Sequence, residues 1–206
     1  LSLVGSEMCI RDSYYSGTKN ANNKNYDVDQ YIELYNNSDQ TISTENVHIA
    51  ILETESTPWF ADEKEQYIYA KDVFRLPTRD LGPGESILIA RQAINHTIDA
   101  PLSLDLTVAD YEVKAINKPQ NSLVEQLPHV YKAYPNIDWL NMVVGGGNQL
   151  VLFRYEGDVN DLEKKQKITV GFGNRQENHA DVLIDQGEKT KKYDVIYIPT
   201  KEMIST

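Results

Sequence analysis

The stretch YIELYNNSD, residues 31–39, alternates between two kinds of side chain and then ends in a run of turn formers. Ile32 and Leu34 point to one face of an extended chain, and the residues beside them point to the other. A period of two is typical of a β-strand with one buried face. The residues NNSD (36–39) have short polar side chains that bond to nearby backbone groups and favour turns. The stretch therefore predicts an amphipathic strand that ends in a tight turn.

Several other segments read as strands of similar length. VHIAILE (47–53) is apolar enough in its middle to be buried on both faces, and RDLGPGESILIA (79–90) places a glycine-proline-glycine turn before an apolar strand. NMVVGGGNQLVLFRY (141–155) has the form of a hairpin. Shorter strands are predicted at 67–76, 168–172, 181–184 and 193–198. Short strands without alternating long helices indicate an all-β protein, an antiparallel β-sandwich.

Residues 91–141 interrupt this pattern. The segment has prolines at positions 101, 119, 128 and 135, which forbid a long helix. Ser122 and Glu125 have capping-box spacing, which predicts a brief helix. We expect a long insertion of loops and short helical turns.

The chain has 206 residues and a formal net charge of −11. That charge disfavours nucleic acid, whose phosphates would be repelled, and it disfavours a basic membrane-binding patch. Its apolar runs have the length of strands, well below the roughly 20 residues of a membrane helix. These totals describe an acidic globular domain that can form a core without disulfides or metal.

The first 13 residues, LSLVGSEMCIRDS, resemble a translated sequencing-adapter read-through. We treat residues 1–13 as a non-native artefact and leave them out of the fold prediction. The only cysteine, Cys9, lies among them, so residues 14–206 have no thiol nucleophile. Residues 14–206 are predicted to form one domain.

Three segments together resemble the lamin-tail group of domains: residues 31–39, 81–90 and 145–153. The segments YYSGT (14–18), DQYIELYNNSDQTI (29–42), PGESILIARQAINH (83–96) and LDLTVADYEV (104–113) resemble a bacterial family of secreted lipoproteins of unknown function. The resemblance implies an immunoglobulin-like sandwich. It also implies a location outside the cytoplasm, at the bacterial cell surface or in the periplasm, with the domain cut at both ends. Contact with a membrane would come only through an N-terminal lipid anchor, and no catalytic residue is implied.

Acidic loops offer a candidate calcium site, since this ion takes carboxylate and carbonyl oxygens. Asp27 and Asp29 precede the opening strand, and Asp158, Asn160 and Asp161 follow a later one. Neither group fits the EF-hand spacing, and solvated loops explain both. No cofactor is expected.

Aromatic residues offer a second candidate site. The chain has 13 tyrosines and 4 phenylalanines, and exposed rings of this kind can stack on sugars. The candidate sugar-binding rings are Trp59, Tyr67, Tyr69, Tyr111, Tyr134 and Trp139. The alternative is that the tryptophans plug the ends of the sandwich.

No pattern in the sequence predicts an enzyme. Glu33 is the most prominent acid, but its position on an outward strand face favours contact with water or a backbone amide. The sequence predicts a non-catalytic adhesion, scaffold or protein-binding module of a bacterial surface lipoprotein, with a protein, matrix or glycan partner. The alternative is a carbohydrate-binding module that uses the aromatic residues named above.

Overall fold

The computed structural model describes most of the chain. The described residues are 8–15, 17–53, 66–121, 123–142, 149–172, 175–178 and 189–204, with the backbone alone described within 165–193. Sixteen strands lie in these residues: β1 (Met8–Tyr14), β2 (Thr18–Lys19), β3 (Asn25–Tyr26), β4 (Tyr31–Asn36), β5 (Ile42–Ser43), β6 (Val47–Leu52), β7 (Tyr67–Arg75), β8 (Asp80–Leu81), β9 (Ser86–Ala90), β10 (Tyr111–Glu112), β11 (Glu125–Gln126), β12 (His129–Lys132), β13 (Leu150–Arg154), β14 (Lys164–Phe172), β15 (Arg175–Asn178) and β16 (Lys189–Pro199). Three short 3₁₀ helices accompany them: His96–Ile98, Val159–Asp161 and Thr200–Glu202.

Two large sheets form the sandwich. The strand order in sheet I is β1-β4-β9-β10-β11, and in sheet II it is β13-β6-β7-β16-β14-β15, with β12 also paired to β7. Two small ribbons, β2-β3 and β5-β8, lie beside them. The pairings are antiparallel except those of β10, which runs parallel to both β9 and β11. The predicted all-β, antiparallel sandwich is confirmed, with two short parallel pairs added to it.

Strand β4 has the predicted alternation. Ile32 and Leu34 are fully buried, and the residues that alternate with them, Tyr31, Glu33 and Tyr35, are only half-buried. On the neighbouring strand β9 they face Ile89 and Ile87 respectively. Because the period of two puts all four side chains on one face, they enter the core between the sheets together.

The apolar interior has two layers. The larger one lies between the sheets, and residues from β4 and β9 meet residues such as Ile49 and Phe74 from sheet II there. The smaller one lies on the opposite face of sheet II, around Val73 and Phe153. Strand β6 contributes to both layers and is buried at all six positions, which confirms the prediction that it is covered on both faces.

Two predicted turns meet at the end of β4. The Asn36 side chain donates to the backbone carbonyls of Gln40 and Leu81, both at 2.8 Å, and accepts from the Ser38 backbone N–H at 2.9 Å. The Asn36 carbonyl accepts from the N–H of Gly84, whose φ of +76° suits glycine. Asn36 thereby joins the asparagine turn to the proline-glycine turn.

The N-terminal segment differs from the prediction. Although residues 1–13 were left out of the fold prediction, Met8–Tyr14 forms β1, which pairs with β4 and has a bulge between Ile10 and Asp12. Met8 is buried in the core between the sheets. This pairing does not test where the segment comes from, so its foreign origin stays a prediction.

One other prediction is contradicted, and two more fall partly or wholly outside the described residues. The brief helix predicted from Ser122 and Glu125 is wrong, because Glu125–Gln126 is strand β11; the short helical turn of this region is His96–Ile98. Of the predicted hairpin, residues 150–154 form β13, which pairs with β6, and residues 143–148, which include the predicted turn, lie outside the described part. The strand predicted at 181–184 also lies outside it.

Candidate functional site

The connection from β9 to β12, residues 91–128, is the most distinctive surface of the molecule, and we call it the insertion layer. Its described residues have a small core of their own, in which Leu106 and Val124 pack with Ala93 and Ala109 against Ala90 of β9. The Glu112 carboxylate is fully buried and accepts from the backbone N–H of Ala93 at 2.8 Å. The layer, which includes β10 and β11 of sheet I, is therefore packed against β9 rather than loosely attached to it.

Hydrogen bonds join the separate turns of the insertion layer. They run from Leu106 N to Ile94 O at 3.0 Å, from the Asn121 side chain to Thr107 O at 3.2 Å, and from the Gln92 side chain to Pro119 O at 3.1 Å. Each one links residues that are at least twelve positions apart in the chain. The turns are thereby held in one arrangement.

A buried histidine fixes the insertion layer to the β2-β3 ribbon. His96 Nε2 donates to the Gln92 carbonyl at 2.8 Å, so in the neutral ring Nδ1 accepts from the Tyr26 hydroxyl, also at 2.8 Å. Burial, helped by the charges of Asp99 and Asp29, raises the pKa of Tyr26 to about 12. The hydroxyl is therefore a stable donor, and this pair has a structural role.

The insertion layer exposes several large apolar side chains. Six aliphatic side chains in it are between 50% and 92% exposed: Ile98, Leu102, Leu104, Val108, Ile116 and Leu123. Single exposed apolar residues are ordinary, whereas contiguous apolar patches mark interaction surfaces. Six of the seven exposed large apolar side chains among the described residues lie in this one segment, which makes it the candidate interaction surface. We call these six residues the apolar tips.

The first calcium candidate pair is not arranged as a set of free ligands. One Asp27 oxygen accepts from Arg91 Nη1 at 3.1 Å. Asp29 is only 1% exposed, and its Oδ2 accepts from the hydroxyls of Thr18 at 3.0 Å and Ser103 at 2.6 Å. Asp29 Oδ1 is buried and has no hydrogen-bond partner among the residues that the structure describes. The two carboxylates thus join loops of the protein to one another.

The second candidate group caps a helical turn. Asp158 accepts from the backbone N–H of Asn160 at 2.9 Å, which lowers the pKa of its carboxyl, and Asp161 ends the same 3₁₀ helix. Within the described residues, no three His, Cys, Asp or Glu side chains are placed to share a metal ion. Calcium binding stays a prediction.

Two of the sugar-binding candidates are buried. Tyr69 is 4% exposed and packs edge-on against Tyr197, with 4.7 Å between ring centroids. Tyr111 is 7% exposed and lies in the core between the sheets. Both belong to strands whose pairing turns these rings inward, so neither offers a stacking face and their assignment as binding rings is corrected.

The other aromatic candidates lie on separate elements. Tyr67 begins β7, the half-buried Tyr134 follows β12 and donates to Glu53 at 3.2 Å, and Trp139 lies under the guanidinium of Arg91 at 5.7 Å. Trp59 lies outside the described residues. Sugar binding stays a prediction.

Two features of the kind found in reactive or binding sites, a His–Asp pair and two grooves, lie away from the insertion layer. His129 Nε2 is 2.9 Å from Asp72 Oδ1, and both side chains are largely buried between β7 and β12. Two adjoining polar grooves, of ≈ 470 Å³ and ≈ 380 Å³, share Glu156 and Gly157. His129 lines neither groove, so the pair and the grooves do not combine into one site.

Among the described residues, no helix has the length and apolarity to cross a bilayer.

Fold and surface together define a class: an all-β sandwich domain whose insertion layer presents rigid apolar tips. The chain belongs to the DUF4876 family, described as proteins of unknown function, whose model matches residues 82–204. The chain is also similar to the crystal structure of a DUF4876 family protein from Bacteroides thetaiotaomicron VPI-5482, with a TM-score of 0.68 and 20% sequence identity. That match covers 97% of this chain and 52% of the other, so this chain spans about half the length of its relative. At this identity the likeness supports the fold alone. A search of the curated proteins found no match.

The apolar tips were not predicted from the sequence. Leu106 and Ala109 are buried, whereas Val108, between them, is 77% exposed. Buried and exposed residues do not alternate with a regular period in this segment, because it is neither a helix nor a long strand. The only available signal was the number of aliphatic residues in a proline-rich loop.

Proposed function

We propose that this chain is a non-catalytic, protein-binding domain of a bacterial cell-surface or secreted lipoprotein. The observation that carries the proposal is the exposure of the six apolar tips, all between residues 98 and 123. Leaving large aliphatic groups in water forgoes about 25 cal/mol per Å² of apolar area. A partner that covers them recovers this free energy, which makes the insertion layer the binding surface.

Rigid presentation supports the proposal. Binding is weakened when loops must be ordered on association. The small core around Leu106 and the hydrogen bonds between the turns hold the tips in place before any partner arrives. Little ordering free energy then opposes binding.

A non-catalytic role agrees with the contacts of the prominent acids. Glu33 accepts from the Ser86 hydroxyl at 2.7 Å and lies 3.4 Å from Arg11, and Glu112 accepts from Gln126 at 2.7 Å. These carboxylates hold strands and loops together. Their engagement favours a binding domain over a hydrolase built on paired acids.

The cellular location is part of the proposal. It rests on the resemblance of residues 31–39, 81–90 and 145–153 to lamin-tail domains and of longer segments to secreted lipoproteins. Sequencing the uninterrupted gene from its source DNA tests it. We expect an upstream signal peptide that ends at a lipid-anchor cysteine, whereas a start codon directly before Tyr14 would refute this location.

The binding role is tested by capture with matched variants. The full chain, the double variant Leu102→Ser/Leu123→Ser and the control Tyr15→Ser, which changes an exposed ring outside the insertion layer, are immobilised in parallel. We expect a protein from bacterial envelope extracts that the parent and the control retain and the double variant loses. That protein must bind again after purification. Equal retention by all three chains argues against the proposal.

A further inference from the structure

Acidic side chains lie beside the apolar tips. Asp99 follows Ile98, Asp105 follows Leu104, and Glu125 lies two residues beyond Leu123; all three acids are exposed. In the part of the chain that the structure describes, none of them forms an ion pair. We call Asp99, Asp105 and Glu125 the acidic rim.

The cations of the same region do not cancel this charge. Arg79 is paired with Asp110 at 2.9 Å and Arg91 with Asp27 at 3.1 Å, so each is matched by an acid of its own. Lys114 and Lys118 form no ion pair in the described part of the chain, so two lysines stand against the three acids, and the acids remain in excess.

The carboxylate of Asp105 is fixed in its charged form. It accepts from the Thr107 hydroxyl at 2.6 Å and from the Thr107 backbone N–H at 3.0 Å, and these bonds lower the pKa of the Asp105 carboxyl. An acid held this way faces an approaching partner as a negative charge of defined position.

We propose that the partner is a protein surface with an apolar centre and a rim of lysine or arginine. The inference rests on the proposed function, because the apolar tips must dock for the rim to matter. Interfaces commonly have an apolar centre and a polar rim, and opposite charges across the rim speed association and exclude like-charged partners. The chain's net charge of −11 acts in the same direction at longer range.

The test uses two synthetic amphipathic peptides of equal length, one of leucine and lysine and one of leucine and glutamate. We expect the lysine peptide to bind the full chain at least about tenfold more tightly than the glutamate peptide, with the difference decreasing at high salt. The rim variant Asp99→Asn/Asp105→Asn/Glu125→Gln should lose about fivefold to tenfold in affinity for the lysine peptide, since three exposed ion pairs of modest strength are removed.

A matched control separates the rim from the overall charge. Asp39→Asn/Glu45→Gln/Glu156→Gln removes three exposed acids outside the insertion layer. We expect it to change the affinity by less than about twofold. An equal loss in both triple variants, equal affinity for both peptides, or no binding of either peptide would overturn the inference. The capture experiment with Leu102 and Leu123 is independent of the rim charges, so the proposed function stands or fails separately.

Discussion

Strand β4 and the insertion layer use the same residue types in opposite ways. In β4, Leu34 is fully buried while its polar neighbours face outward, whereas in the insertion layer Leu102 and Leu123 are 86% and 92% exposed. Both regions are held by hydrogen bonds and both contact a core. The difference shows that apolar residues stabilise this fold in one region and remain available for contact in the other.

The largest effect is expected for Leu34→Ala. The side chain is buried between the two sheets, so truncation leaves a cavity and should lower the free energy of unfolding by about 2–5 kcal/mol. Urea denaturation of the parent and the variant measures this. A loss below about 1 kcal/mol would show that β4 does not anchor the core.

A smaller loss is expected for Leu106→Ala. Its neighbours in the small core are mostly alanines, so fewer contacts disappear, and we expect about 2 kcal/mol. Val108→Ala is the control, because Val108 is two residues away and exposed. If both variants unfold at the same urea concentration as the parent, the insertion layer has no core of its own.

Asn36→Ala tests the polar end of β4. The change removes two donated hydrogen bonds and leaves the Leu81 carbonyl without this partner, which should cost about 1–2 kcal/mol. Replacement of its exposed neighbour, Asn37→Ala, should lower the free energy of unfolding by less than about 0.5 kcal/mol. Thermal unfolding of both variants compares them directly, and equal shifts would contradict the structural role of Asn36.

The smallest effect on stability is expected for Leu102→Ala. Since the side chain is exposed, the free energy of unfolding should stay within about 0.5 kcal/mol of the parent. Fluorescence of an apolar dye should nevertheless decrease, because part of the exposed surface is lost. A stability loss as large as that of Leu34→Ala would mean that the two regions do not differ as described.

The sequence predicted strands correctly where it has a regular hydrophobic pattern or a strong turn signal. Alternation predicted β4, the continuous apolar run predicted β6, and the proline-glycine turn predicted the start of β9. Strands β10 and β11 have two residues each, too few to show any period, and β1 was missed because residues 1–13 had been set aside.

The candidate site was less accessible to prediction. The aromatic residues looked suited to sugars by type, but Tyr69 and Tyr111 face inward, which depends on strand pairing and not on composition. Which aliphatic side chains of the insertion layer remain exposed as apolar tips depends on which loop residues pack over others. That information resides in the tertiary arrangement of residues far apart in the chain.

The parallel direction of β10 has a topological consequence. A strand that runs parallel to its predecessor cannot be reached through a tight turn, since the chain must first travel back to the starting end of the sheet. Strand β9 ends at Ala90 and β10 begins at Tyr111, and a second return precedes β11, which is again parallel. The two long loops of the insertion layer are thus required by strand direction. Their length can change, but a two-residue turn in place of either one would reverse a strand of sheet I.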